Sequence, residues 1–476
     1  MSVAEIVGSE QEGLRASLER LRAAWRSEPD PEPGIRRARL RALRAAMVRR
    51  KDDVAEAVRS DFGARSKHET WIAEIVTTAG AVRHMERHLE RWMRPERRRV
   101  SSTLWLARAE LRRQPLGVVG VIAPWNYPFH LAVLPVATAV AAGNRVMLKP
   151  SELTPATGEL LRELLVEALG DDVVAVHTGG VEVGRAFASL PLDHLLYTGS
   201  TAVGREIMKA AAENLTPVTL ELGGKSPAIL HRGGDVARFA DRVVYGKLLN
   251  AGQTCIAPDY ALVPRGLEQA VVDAVSAEVA RRYPTLATNP DYTSIVNERH
   301  HARLLGLLDD AVSKGARVVE LDPAGEAFDE AHHKLAPRLL LDVTDDMRVL
   351  QEEIFGPFLP VVPYDTLDDA IAYVNARPRP LALYYFDVDA GRVERVLRHT
   401  VAGGTVINDT MIHAAVEDLP FGGVGASGMG AYHGREGFET FTHARAVVRQ
   451  RRLNGMRLLD APYGARVERL LDWLLR

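Results

Sequence analysis

The sequence predicts an α/β fold built on parallel sheet covered by helices on both faces. From Leu116 onward, short and nearly continuous apolar runs alternate with segments of helical periodicity, the pattern of strands buried on both sides. Polar and glycine-rich positions gather just after these runs, at Asn126, Lys149, Gly179, Gly199 and Gly223; in open parallel sheets ligands bind at the carboxyl ends of strands. The chain has 476 residues, 46% hydrophobic and 26% charged. At roughly 150 residues per domain this suggests about three domains or two large ones, with enough core to dispense with disulfide or metal staples.

Taken in order, residues 10–60 form an Arg-, Ala- and Glu-rich helical region interrupted by Pro29, Pro31 and Pro33, because proline breaks a helix interior. A second helical stretch covers about 69–93. The runs "LGVVGVIAP", "NRVMLKP", "DVVAVHTGG", "DHLLYTGS" and "PVTLELGG" then read as strands, with helices near 129–142, 157–169, 182–190 and 202–213. After Ser226 a second α/β series begins. Its strands are "PAIL", "YALVP", "RVVEL", "LPVVPY", "LALYYF" and "GTVIND", and its helices lie near 236–250, 266–281, 298–314, 367–376 and 390–399. At the end, Val467, Leu470, Leu471, Leu474 and Leu475 share one helical stripe, which predicts an amphipathic helix docked on its own subunit or a dimer mate, with contact to a membrane surface as the alternative.

Charge and composition exclude several classes. Lys plus Arg total 60 against 62 for Asp plus Glu, a net charge of -2, which gives no electrostatic case for nucleic acid. The basic run Arg94–Arg99 is local and reads as surface. No apolar segment reaches the 18 residues of a membrane span, and the polar N-terminus lacks a signal-peptide core. The lone Cys255 forbids an intrachain disulfide and fits a reducing compartment, so a cytoplasmic location is expected. Three local patterns are decoys. Gly423, Gly425 and Gly428 match G-x-G-x-x-G without a clear preceding strand. Gly224-Lys225-Ser226 ends like a phosphate loop whose first glycine would fall on Thr219. His84 and His88 stand one helical turn apart and read as solvated, and with no zincin pattern no metal site is expected.

The chemistry gathers elsewhere. Cys255 ends Asn250-Ala-Gly252-Gln253-Thr254-Cys255, where glycine lets backbone pass close to a reactive group and backbone N–H groups can stabilise a thiolate. Glu221 opens Glu-Leu222-Gly223-Gly224-Lys225 at a strand end, where an apolar setting would raise its pKa and suit it as general base. Asn126, in Pro124-Trp125-Asn126-Tyr127-Pro128, is a neutral donor suited to an oxyanion. Lys149-Pro150-Ser151-Glu152 offers a donor and an acceptor for ribose hydroxyls. Thr198-Gly199-Ser200-Thr201-Ala202-Val203-Gly204 crosses from strand to helix, and a helix N-terminus favours phosphate. Glu352-Glu353-Ile354-Phe355-Gly356-Pro357 sets an acceptor beside an aromatic ring.

Together, PWNYP, KPSE, TGST, ELGGKSP, GQTC, EEIFGP and LPFGG resemble the aldehyde dehydrogenase superfamily in order and spacing, over nearly the whole chain. The phrases "NAGQTCIAPDY", "SIVNERH" and "LPFGGVGASGMG" are similar to class 3 members. Within these, "LERWMRP", "AAAENLTPVTLELGGKSPAI" and "APYGARVERLL" are most like bacterial coniferyl aldehyde dehydrogenases. Tyr197 departs slightly, standing where Phe is common.

The resemblance implies a family fold of Rossmann-like cofactor domain, α/β catalytic domain and small oligomerisation strands. The expected division is 1–98 with 118–222 for NAD(P), 223–425 for catalysis, and 99–117 with 426–476 for oligomerisation and the terminal helix. The extended segment 99–117 would join a strand near 440–450, and a homodimer is expected. The resemblance also implies that Cys255 attacks the aldehyde carbon, that Asn126 and the Cys255 N–H hold the oxyanion, and that Glu221 activates water against the thioester. NAD or NADP would be the cofactor, NAD favoured. Lys149, Ser151 and Glu152 would lie near the adenosine ribose. Gly199, Ser200, Thr201 and Gly204 would lie on the pyrophosphate side, and Trp125, Leu222, Glu353 and Phe355 toward the nicotinamide half. The implied reaction is oxidation of coniferyl aldehyde to ferulate. The alternatives are a fatty or general aromatic aldehyde dehydrogenase of the same class, a CoA-acylating enzyme, and a catalytically silent structural member.

Overall fold

The computed structural model describes residues 3–101, 104, 106–328, 332–452 and 455–475. The parts of the expected segments at 1–2, 102–103, 105, 329–331, 453–454 and 476 lie outside the described residues. Helices Val3–Ser27, Pro33–Arg49, Lys51–Phe62 and Thr77–Met93 form the N-terminal region, with a π-helical turn at Trp71–Val76. Strands β1 (Glu96–Arg98) and β2 (Arg108–Pro115) pair antiparallel. The arginines of the basic run expected as solvated surface or partner contact are exposed, and part of the run forms this edge strand.

Next come β3 (Val118–Ile122), β4 (Arg145–Lys149), β5 (Val174–Val176), β6 (His194–Thr198) and β7 (Val218–Glu221), all parallel where they pair. Every residue of β3, β4 and β6 is buried, which is why these strands are apolar nearly throughout rather than alternating. The chain runs outward from β3 through β4 to β5, then returns to β6 on the other side of β3. That reversal opens a crevice where the loops after β3 and β6 diverge.

A second, seven-stranded sheet follows. It contains β8 (Pro227–Leu230), β9 (Tyr260–Pro264), β10 (Arg317–Glu320), β11 (Arg338–Leu341), β12 (Phe358–Tyr364), β13 (Ala382–Phe386) and β14 (Gly404–Ile407), in the order β10-β11-β12-β9-β8-β13-β14. The strand β11 is not among those read from the sequence. Then β15 (Gly428–Met429) returns to pair antiparallel with β7 of the first sheet. Finally β16 (Thr442–Arg449) pairs along the whole of β2, and helix Ala465–Leu474 ends the chain.

The connection from β7 to β8 is only Leu222–Ser226. The carboxyl edge of the first sheet therefore faces the amino edge of the second. Residues before β9 and β12, Cys255 and Glu353 among them, therefore reach the cleft from the amino ends of their strands. His84 and His88 differ from expectation. They are partly buried, with rings 4.1 Å apart, stacked toward Trp92, because the helix face that carries them packs inward.

Candidate active site

Cys255 follows an irregular turn. Asn250 and Ala251 both adopt left-handed backbone, and Gly252 continues it at φ 77°. A non-glycine residue held there costs about 1–3 kcal/mol, so the surroundings must fix it. Gly252 is required by space as well: a Cβ would lie 2.3 Å from the Gly356 carbonyl oxygen. The buried Gln253 amide supplies the clamp. It donates to the carbonyls of Asn250 (3.0 Å) and Ser294 (2.9 Å) and accepts from Val296 N–H (3.0 Å). Thr254 shares a hydrogen bond with the Tyr127 hydroxyl at 2.7 Å, which ties this turn to the loop after β3.

That loop carries Asn126, 3% exposed. Its Nδ2 donates to the Gln253 carbonyl at 3.1 Å, which leaves its second amide hydrogen available. Below it, the Arg65 side chain is completely buried, donates to the Asn126 carbonyl at 2.9 Å, and lies 3.6 Å from Glu69 and 3.3 Å from Glu74. Glu74 in turn accepts from the N–H groups of Phe129 (2.7 Å) and His130 (3.1 Å) at the start of helix His130–Ala141, where a carboxylate meets the positive end of the helix dipole.

Glu221, Leu222, Tyr127, Thr254 and Cys255 all line one cavity of ≈ 230 Å³, walled by Ile72, Leu131, Ile256, Met411, Ile412 and Phe421. Glu221 is 3% exposed and neither carboxylate oxygen has a hydrogen-bond partner among the described residues. Burial pushes its pKa well above the usual carboxylate range. The Cys255 thiol is pushed up to about 12, first by burial and then by the nearby Glu353 and Glu221 carboxylates.

On the other side of Cys255, Glu353 packs against Gly223 so closely that a Cβ there would sit 2.1 Å from its carboxylate. Burial pushes Glu353 up to about 8. Its loop is held by Lys225, which pairs with Asp259 and donates to the carbonyls of Val349 (2.7 Å) and Glu352 (3.0 Å). Arg303 adds a hydrogen bond to the Glu353 carbonyl at 3.2 Å. Phe355, at φ 52°, meets the Trp125 ring edge-on at 5.3 Å. Residues from the first and second sheets are thereby brought into contact.

A second hollow of ≈ 510 Å³ is lined by Thr201, Gly223, Gly224, Lys225 and Glu353, with Arg205 and Arg379 beside them. Ser200 caps helix Thr201–Ala212 by accepting from Val203 N–H. Gly204 has no room for a side chain, since a Cβ would lie 2.7 Å from Leu222. Lys149, 3% exposed, pairs with Glu152 at 2.9 Å at the end of β4, and Ser151 closes the turn by accepting from Leu153 N–H at 3.2 Å. Burial would raise Glu152, but Lys149 outweighs it and the carboxyl lies below its ordinary range. Lys149, Ser151 and Glu152 form their own group apart from the Cys255 cavity. The bare backbone at Gly223 and Gly224, with cations around it, suits a phosphate-bearing, hydroxyl-rich ligand such as a dinucleotide.

The loop containing Gly423 and Gly425 packs onto β7 through β15 instead of opening a helix, so its glycine pattern has a packing cause. Sequence reasoning missed Arg65, Glu74, Asp259, Arg303, His130 and His433. Tyr127, Gln253 and Lys225 stood inside quoted motifs without a role.

Residues 2–447 match the family model described as "Aldehyde dehydrogenase family". A protein of Pseudomonas aeruginosa named "Probable coniferyl aldehyde dehydrogenase" is 50% identical over 471 residues, covering 98% of both chains. The substrate-bound structure of Staphylococcus aureus AldH has a TM-score of 0.89 at 36% identity, covering 100% of both chains. An aldehyde dehydrogenase of Mycobacterium tuberculosis complexed with NAD+ has a TM-score of 0.83 at 32% identity, covering 92% of this chain and 90% of that one. The chain belongs to the aldehyde dehydrogenase family and is an NAD(P)-dependent aldehyde oxidoreductase.

Proposed function

We propose that the physiological reaction is oxidation of a hydroxycinnamyl aldehyde, coniferyl aldehyde in the first place, to its acid. The observation that carries the chemistry is the pairing of Cys255 with the unpartnered, buried Glu221 in a single apolar cavity. The relative named for coniferyl aldehyde, half identical over nearly the full length, supports the substrate.

In this reading Cys255, having given up its proton, adds as thiolate to the aldehyde carbon, and the carbonyl π pair moves to oxygen, which becomes an alkoxide. The free Asn126 amide hydrogen and the Cys255 N–H donate to that oxygen. One such donor is worth about 3–4 kcal/mol, because the charge exists only after attack. An oxidised nicotinamide, when bound, supplies the hydride acceptor. Glu221 then takes a proton from water as it attacks the thioester, and Cys255 leaves as thiolate. Covalent capture divides one hard step into two easier ones.

For the cofactor, Lys149, Ser151 and Glu152 would hold the adenosine ribose, and Gly199, Ser200, Thr201 and Gly204 the pyrophosphate. Trp125, Leu222, Glu353 and Phe355 would frame the nicotinamide riboside. The division proposed is 1–98 and 118–222 for cofactor, 223–425 for catalysis, and 99–117 with 426–476 for assembly. The pairing of β2 with β16 supports the last part, although β15 at its start adds to the cofactor sheet. A homodimer and a cytoplasmic location are proposed with it. Among the described residues no helix is long and apolar enough to cross a membrane. Initial rates for coniferyl aldehyde and a long-chain alkanal, each with NAD and NADP, test the function. Sedimentation at micromolar protein tests the dimer. Faster turnover of the alkanal would overturn the substrate, and a monomer would overturn the assembly.

A further inference from the structure

The cavity beside Cys255 is apolar except at a few points, and two of these are histidines, His130 and His433. Neither has a role in the chemistry above. Thr78 Oγ1 donates to the Glu74 carbonyl and lies 2.7 Å from His130 Nδ1. A threonine hydroxyl has one hydrogen, and this one is spent on the carbonyl. Thr78 can then only accept from the ring, so Nδ1 carries the proton. In a neutral imidazole the other nitrogen is then an acceptor, and burial keeps His130 neutral by lowering its pKa to about 4. Among the described residues nothing in the protein meets His130 Nε2.

His433 is 2% exposed and neither of its ring nitrogens has a hydrogen-bond partner among the described residues. It is held in place by stacking on Phe421, ring centroids 5.0 Å apart. Buried polar atoms are rarely left unpaired, and each such atom costs about 1–3 kcal/mol unless something satisfies it. A wholly apolar aldehyde would leave the two His433 nitrogens unsatisfied and would offer nothing to the His130 acceptor, whereas an aromatic aldehyde with ring oxygens would meet both histidines.

We propose that His130 is a specificity-determining residue which accepts a hydrogen bond from a hydroxyl on the aromatic ring of the aldehyde, with His433 as a second polar contact to the ring oxygens. The inference rests on the hydroxycinnamyl reading and deepens it. The discriminating quantity is the ratio of kcat/KM for 4-hydroxy-3-methoxycinnamaldehyde to that for cinnamaldehyde, because a general loss of activity cancels in it. The wild-type ratio is expected at about tenfold, the value of one well-made buried hydrogen bond. His130→Leu brings it close to one. His130→Asn, which keeps a carbonyl acceptor, recovers part of it. His433→Phe, which keeps the stacked ring, lowers it independently. Equal losses on both aldehydes, a wild-type ratio near one, or a ratio unchanged in both His130→Leu and His433→Phe overturns the inference while the activity stands. Failure of the wild type to oxidise either aldehyde overturns both the inference and the function beneath it.

Discussion

At the level of single residues, Cys255 and Glu221 present a shared problem: both are enclosed, and burial favours their neutral forms. A nucleophilic thiolate is therefore available only when the cleft supplies compensating charge. Cys255→Ala is expected to lower turnover about ten-thousandfold or more while nucleotide binding, followed by fluorescence titration, survives; normal turnover would remove covalent catalysis from the account. Glu221→Gln keeps the shape but cannot take a proton. A pre-steady-state burst of reduced cofactor should persist while steady turnover falls about a hundredfold or more. Because burial raises the Glu221 pKa, the wild-type deacylation rate should climb with pH well above the ordinary carboxylate range, and that climb should vanish in the variant. Loss of the burst together with turnover would instead move Glu221 to the activation of Cys255. The Lys149–Glu152 pair bears on cofactor choice. A carboxylate accepts from a ribose 2′-OH and repels a 2′-phosphate, so Glu152→Gln should shift the kcat/KM ratio toward NADP. An unchanged or more NAD-biased ratio would place Glu152 away from the 2′ position.

Among the elements, the π-helical turn Trp71–Val76 and the loop after β3 depend on Arg65. This guanidinium holds Glu69 and Glu74 and donates to Asn126. Arg65→Met fills similar space but takes the buried donor away from the Asn126 carbonyl and from beside the Glu69 and Glu74 carboxyls, a loss of about 1–3 kcal/mol. Urea unfolding should show it, with kcat reduced as Asn126 loosens; stability within about 0.5 kcal/mol of wild type, the range of a neutral surface change, would mean the cluster is not a brace. This brace marks where sequence reading stops. The strands β3, β4 and β6 were legible because burial on both faces forces nearly uninterrupted apolar runs. Cys255, Glu221 and Asn126 were legible because each stands beside such an element in a distinctive motif. Arg65, Glu69 and Glu74 carry no such mark: in the sequence they are three more charges in a helical region rich in them, and only tertiary packing buries them. The strand β11 was hidden by length, with four residues between Pro337 and Asp342. The two residues of β15 pair only because the glycine loop folds back on β7. The left-handed Asn250 and Ala251 are likewise set by the Gln253 clamp, not by local preference.

For the molecule as a whole, burial gathers ionisable groups of opposite sign in their effect on stability. It pushes Glu69 up to about 7 and Glu353 up to about 8, against an ordinary value of 4.5. The folded state keeps protons there that the unfolded chain has released. Their contribution is complete below pH 4.5 and is lost as pH rises through 7 to 8. Burial lowers His130, His194 and His413 to about 4 and His433 to about 3, from 6.5. Here the unfolded chain takes up protons that the folded state refuses. That contribution is complete above pH 6.5 and is lost as pH falls toward 4 and below. Between pH 4.5 and 6.5 the two sets oppose each other; outside that interval each acts alone. Without added nucleotide, stability should therefore fall from pH 6.5 to 8 and again below pH 4.5. Glu353→Gln cannot ionise, so it should make the alkaline fall shallower and leave the acid fall as steep as before. Thermal unfolding at constant ionic strength, from about pH 4 to about pH 9, measures both limbs. Stability that still rises between pH 6.5 and 8, or a variant whose alkaline limb is as steep as the wild type's, would mean that these carboxyls are already ionised in the folded cleft, with Lys225 and Arg303 neutralising Glu353 and Arg65 neutralising Glu69.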